Sequence, residues 1–508
     1  MDFRHQGGHK RKDCSLGEEG MAEKNRFSKL LKHLMSVAEV KNYTLAQELQ
    51  YDVSYISKWT SGQMIPSEKY EKKILKGISE CIVKGCGQEA AEKLMQDYQV
   101  DNAQDLKLAV LDNLEAEYFY VRELQNNAGV DVAPKTFFYP EMKLAQYIAK
   151  MRHPVLRRVN ALDVVAALDI FAMEREYQLQ IAEEKNKHVP KGKWYQDVHY
   201  AMVVDVQGDK LDYRYDIIYL VDLMERNNCI DFQLYGSPQA AGRAVFVVQD
   251  DYAISGMLVS RDQCMSVVIT EDQENCSVMY RNLKELCNRD RLLFRKTSMR
   301  EMLIKHEYVH ALLALKQQWF IGHLTEHFLP DDLFDEIAEM LDEGEEGTPN
   351  KEQLRNIHRM SKNIIEESRI RILIYRTAFY NLVVDHELDF FNCRVRLTSE
   401  QIVRYLNHFL ELCRKHPELE IKMISGRLIS DIEYSTRQCI FLSDTISYLR
   451  LNGDFNNMYI INRMDMREAF GKMFKEFWET QDSNVLISDK ETIIANIEHV
   501  LSGVLEEA

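Results

Sequence analysis

At 508 residues, 45% of them hydrophobic and with a net charge of −16, the chain is long enough for several domains with real cores and too acidic overall to be coated in nucleic acid. No run approaches the roughly 18–20 apolar residues of a membrane span, and no basic segment followed by an apolar run opens the chain, so a cytoplasmic location with no membrane partner is expected. The ten cysteines form no Cys-x-x-Cys pair and read as reduced core thiols.

Residues 1–20 have no apolar period and read as a disordered tail. Gly17-Glu18-Glu19-Gly20 ahead of Met21 is what translation of a purine-rich ribosome-binding site gives, which would put the start at Met21. Residues 21–84 carry eleven Lys or Arg against seven Asp or Glu, a net +4, so the remaining residues total −20 and an anionic partner should dock at the N-terminal end.

Helical spacing of Phe27, Leu30, Leu31, Leu34 and Met35 predicts a first helix. A second follows over "NYTLAQEL", with Asn42 or Thr44 as cap and Gln47 completing a capping box with Thr44. Asp52 caps a third, "VSYISKWTS", which buries Ile56 and Trp59 and stops at Gly62; Pro66-Ser67 opens a fourth with Tyr70, Ile74, Ile78 and Ile82 inside.

The stretch "LAQELQYDVSYISKWTSGQMIPS" resembles the lambda-repressor-like helix-turn-helix of the XRE family of bacterial and phage regulators. Leu45-Ala46, Leu49, the run Ile56-Ser57-Lys58-Trp59, Gly62 and Pro66 stand at the family's motif positions, while Gln50 replaces its usual turn glycine. The resemblance implies transcription regulation through double-stranded DNA, with Val53, Ser54, Ser57 and Lys58 toward base edges and Lys41, Asn42, Ser61 and Gln63 toward phosphates. Regulators of this kind bind as dimers, and "DNAQDLKLAVLDNLEAEYFYVREL", with Leu108, Leu111, Leu114, Tyr118 and Val121 near one side, is either a dimer helix or plain core.

The domains expected are therefore the helix-turn-helix at 21–98, a helical connector and linker at 99–135 closed by the Gly and Pro of "NNAGVDVAPKT", and a mixed remainder. In that remainder "ALDVVAALDIFAMEREYQLQIAEE" reads as a helix, and "NIIEESRIRILIYRTAF" as a salt-bridged helix. Its two ends repeat one order of helix, strands and helix, which suggests an internal duplication: α/β halves at 136–296 and 391–508, a helical insertion at 297–390 between them, and a cleft where the halves pair. The predicted fold class is multidomain, with an all-α N-terminal domain followed by a large α/β plus helical region that senses a small-molecule or peptide ligand or oligomerises. That order resembles the phospholipase D-like fold. Asp250 or Asp251 and Asp444 match its aspartates, but Arg243 and Val245, then Arg437 and Cys439, replace its His and Lys, which removes the nucleophile.

The insertion holds a competing motif, His306-Glu307-Tyr308-Val309-His310. Two histidines four apart stack on one helical face and could bind zinc while Glu307 activates a water, the arrangement of a zinc peptidase. The third ligand would be Glu336, then Glu339, His323 or His327. The usual His-Glu-Leu-Gly-His context of zinc peptidases fused to such helix-turn-helices is absent. Regulation of transcription is the leading expectation, with no cofactor; a DNA-tethered zinc peptidase that cleaves a repressor or itself is the alternative.

Overall fold

The computed structural model describes residues 26–98, 100, 102–127, 136–157, 161–183, 195–207, 211–340, 351–366, 370–416, 419–425, 438–451 and 457–507. The tail, the linker and Arg437 lie outside them.

Six helices come first: α1 (Arg26–Val37), α2 (Asn42–Leu49), α3 (Val53–Ser61), α4 (Glu71–Gly85), α5 (Gln88–Tyr98) and α6 (Ala103–Asn127). Local chemistry sets their ends. The Asp52 carboxylate accepts the Ser54 N–H at 2.8 Å and starts α3, and Gly62, at φ 77°, closes it. Gln50 takes the left-handed φ of 58° that ends α2. The capping box does not form: Lys41 caps α2 through its backbone alone, so Thr44 falls within the first turn. Helix α6 lays Leu106, Val110, Leu114, Tyr118 and Val121 onto a core shared with Phe27, Ile74 and Ile78. Tyr118 packs edge-on to Phe27 at 6.0 Å, and its hydroxyl donates to the Pro66 carbonyl at 2.9 Å. Most of the stripe weighed for dimerisation is thus interior, while Leu108 is exposed.

The first sheet comprises β1 (Thr136–Lys143), α7 (Leu144–Met151), β2 (Leu162–Leu168), α8 (Arg175–Glu183), β3 (Tyr195–Val204), α9 (Tyr213–Arg226), β4 (Ile230–Gly236), β5 (Arg243–Val248), β6 (Tyr252–Ser260), β7 (Gln263–Thr270) and α10 (Gln273–Lys284). Its order is β1-β7-β6-β5-β2-β3-β4, with β2, β3 and β4 parallel.

The second comprises β8 (Phe294–Thr297), α11 (Met299–Ile304), α12 (Glu307–Leu312), β9 (Gln317–Ile321), α13 (Asp331–Met340), α14 (Lys351–Glu366), β10 (Ile370–Tyr375), α15 (Arg376–Asp385), the hairpin β11 (Glu387–Phe390) and β12 (Cys393–Arg396), and α16 (Ser399–Lys415). It continues through β13 (Glu420–Ile424), β14 (Cys439–Ser443), β15 (Tyr448–Arg450), β16 (Met458–Ile461), α17 (Met464–Trp478), β17 (Leu486–Ile487) and α18 (Lys490–Glu507). Its order is β17-β13-β10-β9-β14-β15-β16-β8, with β9, β10 and β13 parallel. Leaving out β17 and reading from β8, this is strand for strand the order of the first sheet.

These two large mixed sheets, of seven and eight strands, correct the predicted fold class. The molecule is an α/β fold, not an all-α N-terminal domain followed by α/β halves around a helical insertion. The stretch 297–390 supplies β9 and β10 at the centre of the second sheet, and the run expected as a helix from Ala161 begins as β2. Such parallel strands are buried on both faces, so their sequences are continuous apolar runs without the alternation that marks a strand.

The halves do not face one another as a symmetric pair across a cleft. One core joins the α9 side of the first sheet to the α17 side of the second, with Met202, Val204, Leu220, Phe320, Phe470 and Phe474 among its members. Helix α10 covers the far face of the first sheet, with Cys276 and Leu283 against Val165, Ala167 and Val247. The far face of the second lies under α12 to α16 and α18. The two edges also meet, the Leu293 N–H donating to the Leu234 carbonyl at 2.9 Å. Among the described residues no helix is long and apolar enough to cross a membrane.

Candidate nucleic-acid interface

Helices α2 and α3 are joined by the turn Gln50–Asp52. Leu45, Ala46, Ile56 and Trp59 are buried, and Leu49 and Tyr51 pack against the same core. Positions 53, 54, 57, 58 and 61 then share the opposite face of α3, because residues four apart stack. Val53, Ser54, Ser57, Lys58 and Ser61 are all exposed there, as are Lys41 and Gln63 on its flanks; Asn42 is half-buried. The sequence reading overlooked Tyr43 on α2 and Tyr55 on α3, 68% and 45% exposed. The Lys58 Nζ lies 6.0 Å from the Tyr55 ring centre. Hydrogen bonds from Ser54 hold the Asp52 carboxyl below its usual range, so this N-cap stays ionised.

The zinc motif is not one helical face. His306 adopts φ 56°, a left-handed break between α11 and α12 that removes the i, i+4 stacking with His310. Glu307 Oε1 is paired with Arg295 at 2.6 Å. Glu336 accepts from Gln401 and Arg404, each at 2.6 Å, and Glu339 lies toward Arg355. His323 faces Asp389, and His327 lies between Thr325 and Tyr308. Among the described residues no group of three His, Cys, Asp or Glu side chains is placed to hold a metal ion. The structure thus does not bring together His306, His310 and Glu336, the ligands of the alternative reading, around Glu307 as base.

What the motif contributes is Tyr308. Its buried hydroxyl donates to Glu326 Oε1 at 2.7 Å and accepts from Arg450 Nη2 at 2.8 Å. Arg450, wholly buried, also reaches both oxygens of Glu326, at 2.7 and 2.9 Å, and Asp389 at 3.3 Å. Burial opposes ionisation of Glu326, but the Arg450 guanidinium outweighs it and holds the carboxyl well below its ordinary range. Burial pushes the neighbouring His327 down to about 4, against the pull of Glu326. No sequence signal joins residues 308, 326, 389 and 450; the fold alone assembles them.

At the positions suggested by the phospholipase D-like order, Arg243 is exposed and Val245 buried, Asp251 is buried and Asp444 exposed. A cavity of about 400 Å³ lies instead at the carboxyl ends of β3 and β4, where Asp205, Tyr213 and Ser237 meet Arg463, which caps α17, and Asp465 and Lys472 along that helix. Ligands of open α/β sheets bind at such strand ends.

No family model matches the chain, and no curated protein matches it either. Among solved structures, "Structure of TrmBL2, an archaeal chromatin protein, shows a novel mode of DNA binding" is a weak likeness. It shares 13% identity and a TM-score of 0.21, over 52% of this chain and 96% of that one, an overlap too slight to carry an argument about this protein.

Proposed function

We propose that this chain is a sequence-specific DNA-binding regulator of transcription whose α2–α3 pair acts as a lambda-repressor-like helix-turn-helix. The observation that carries the reading is the division of α3. Leu45, Ala46, Ile56 and Trp59, which the resemblance makes structural, are buried in the core, and every position it assigns to DNA on α3 is exposed. Helix α3 enters the major groove by its N-terminal end, where Val53 meets a thymine methyl, Ser54 and Ser57 bond base edges, and Lys58 reaches guanine or phosphate. Lys41, Asn42, Ser61 and Gln63 fix the docking through phosphates. The protein binds paired half-sites as a homodimer, and the cavity beside α17 receives the small molecule that the α/β region senses.

The test is to map DNA bound by the protein in its native cell and then measure affinity for a mapped site. Lys58→Ala should weaken binding roughly ten- to a hundredfold. Lys41→Ala should lower affinity alike for all sequences and make the salt dependence shallower by about one unit of slope. Absence of enriched sites, or unchanged affinity on Lys58→Ala, would leave α2–α3 as a protein-contact surface and sink the proposal.

A further inference from the structure

Helix α17 starts beside the carboxyl end of β4, at the cavity of about 400 Å³. Arg463, the N-cap of the helix, reaches across to the strand. Its Nη1 donates to the Gly236 carbonyl at 2.7 Å, while Nε, at 3.0 Å, and Nη2 donate to Asp465. Glycine is what admits it there, since a Cβ on residue 236 would fall 2.6 Å from that Nη1. The guanidinium is thus fixed in place with N–H groups to spare. Next along the strand end is Ser237, 1% exposed, whose hydroxyl oxygen accepts from the Gln239 N–H at 3.3 Å and from Arg291 Nη1 at 3.2 Å. Both lone pairs are taken, so the O–H can only donate, and among the described residues it meets no acceptor.

Carboxylates dominate the rest of the lining. Asp205, which follows β3, is buried, and Asp465, Glu468, Ala469 and Lys472 share one face of α17 at spacings of three and four. Lys472 is turned to Tyr213, its Nζ 3.0 Å from the hydroxyl. Among the described lining residues, Asp205, Asp465 and Glu468 therefore stand against Arg463 and Lys472, an excess of one negative charge. Val206, Leu211 and Ala469 add an apolar wall. A ligand held here needs an acceptor for Ser237 and Arg463, donors for the carboxylates, and a net positive charge so that no buried charge stays uncompensated. The acceptor is then a carboxylate, because a phosphate dianion would add to the negative excess.

We propose that this cavity binds a free α-amino acid with a cationic side chain, lysine or arginine in kind, an inference that rests on the reading of the α/β region as a sensor and names what it senses. The ligand carboxylate docks between the Ser237 hydroxyl and Arg463, and the α-ammonium pairs with Asp205. The aliphatic stem lies on Val206, Leu211 and Ala469. The cationic tip meets Glu468, which is five residues beyond Arg463 and so roughly 7–8 Å further along the helix axis. That is the reach of an extended lysine from its carboxylate to its terminal nitrogen. Because β3 and β4 belong to the first sheet and α17 packs on the second, the bound molecule ties the two together where their edges meet.

The experiment titrates the intact chain, without DNA, with L-lysine, L-arginine, L-leucine, Nα-acetyl-L-arginine and ribose 5-phosphate, followed by calorimetry and by the shift in thermal melting. Lysine or arginine should bind. Leucine, which lacks the cationic tip, and the acetylated arginine, which lacks the ammonium, should bind about tenfold more weakly or worse, and ribose 5-phosphate not at all. Glu468→Gln, at an exposed position, should erase the preference for lysine over leucine without lowering the melting temperature of the empty protein. Ser237→Ala should weaken every amino acid alike. A folded wild type that neither releases heat nor melts higher with either basic amino acid overturns the inference. So does tighter binding of ribose 5-phosphate, or a Glu468→Gln chain that keeps the preference. Binding of lysine or arginine that leaves affinity for a mapped DNA site unchanged would uphold the ligand site and refute its part in regulation.

Discussion

Asp216 shows how a single buried carboxyl sets a pH dependence. Near the start of α9, burial pushes it up to about 7 against the hydrogen bond it accepts from the Asp212 N–H at 2.8 Å. The folded state therefore holds this proton through a range in which the unfolded chain has released it. The resulting stabilisation is full below about pH 4 and is lost as pH rises through 7. Asp216→Asn should remove that slope and make the variant more stable than the parent at pH 8, by up to roughly 4 kcal/mol. Melting both proteins from pH 4 to 8 checks it, and parallel curves would refute the assignment. Arg450 is the opposite case, a buried charge fully paired. Arg450→Met should cost about 3–5 kcal/mol by leaving Glu326 and Asp389 uncompensated, whereas urea titration of an exposed pair such as Arg414→Ala should show under 1 kcal/mol.

At the scale of elements, legibility followed the range of the signals. Helix α3 could be read to within a residue because Asp52 and Gly62 act on their own backbone, and the left-handed place of Gln50 was marked by the glycine the motif expects there. Gln50→Gly should stabilise the protein by up to about 1 kcal/mol, measured as the shift in urea midpoint, since only glycine occupies φ near 58° without strain. The parallel strands were hidden for the converse reason. β2 and β10 owe their state to neighbours far along the chain, and their Ala-, Leu- and Ile-rich sequences suit a buried helix as well. The HEYVH motif failed through one backbone angle at His306, which no spacing rule encodes. The candidate DNA face was legible because surface positions follow from helical period, and the buried Tyr308–Glu326–Asp389–Arg450 cluster was not, because segments far apart in the chain converge to make it.

For the whole molecule, the core between α9 and α17 makes the two sheets mutually dependent. Residues 136–290 expressed alone would expose Met202, Val204 and Leu220, and should be largely unfolded by circular dichroism; a cooperative melt of that piece would show the core to be divisible. The stacking has a further consequence. In each sheet, one helix follows the final strand of the meander: α10 after β7 and α17 after β16. Only α17 is clasped by the other unit, so the contact joins unlike faces, head to tail. Such a contact does not close on itself and would propagate as a solenoid if both outer faces were bare. Helix α10 covers one outer face and the layer of α12 to α16 with α18 covers the other, so neither sheet is left bare.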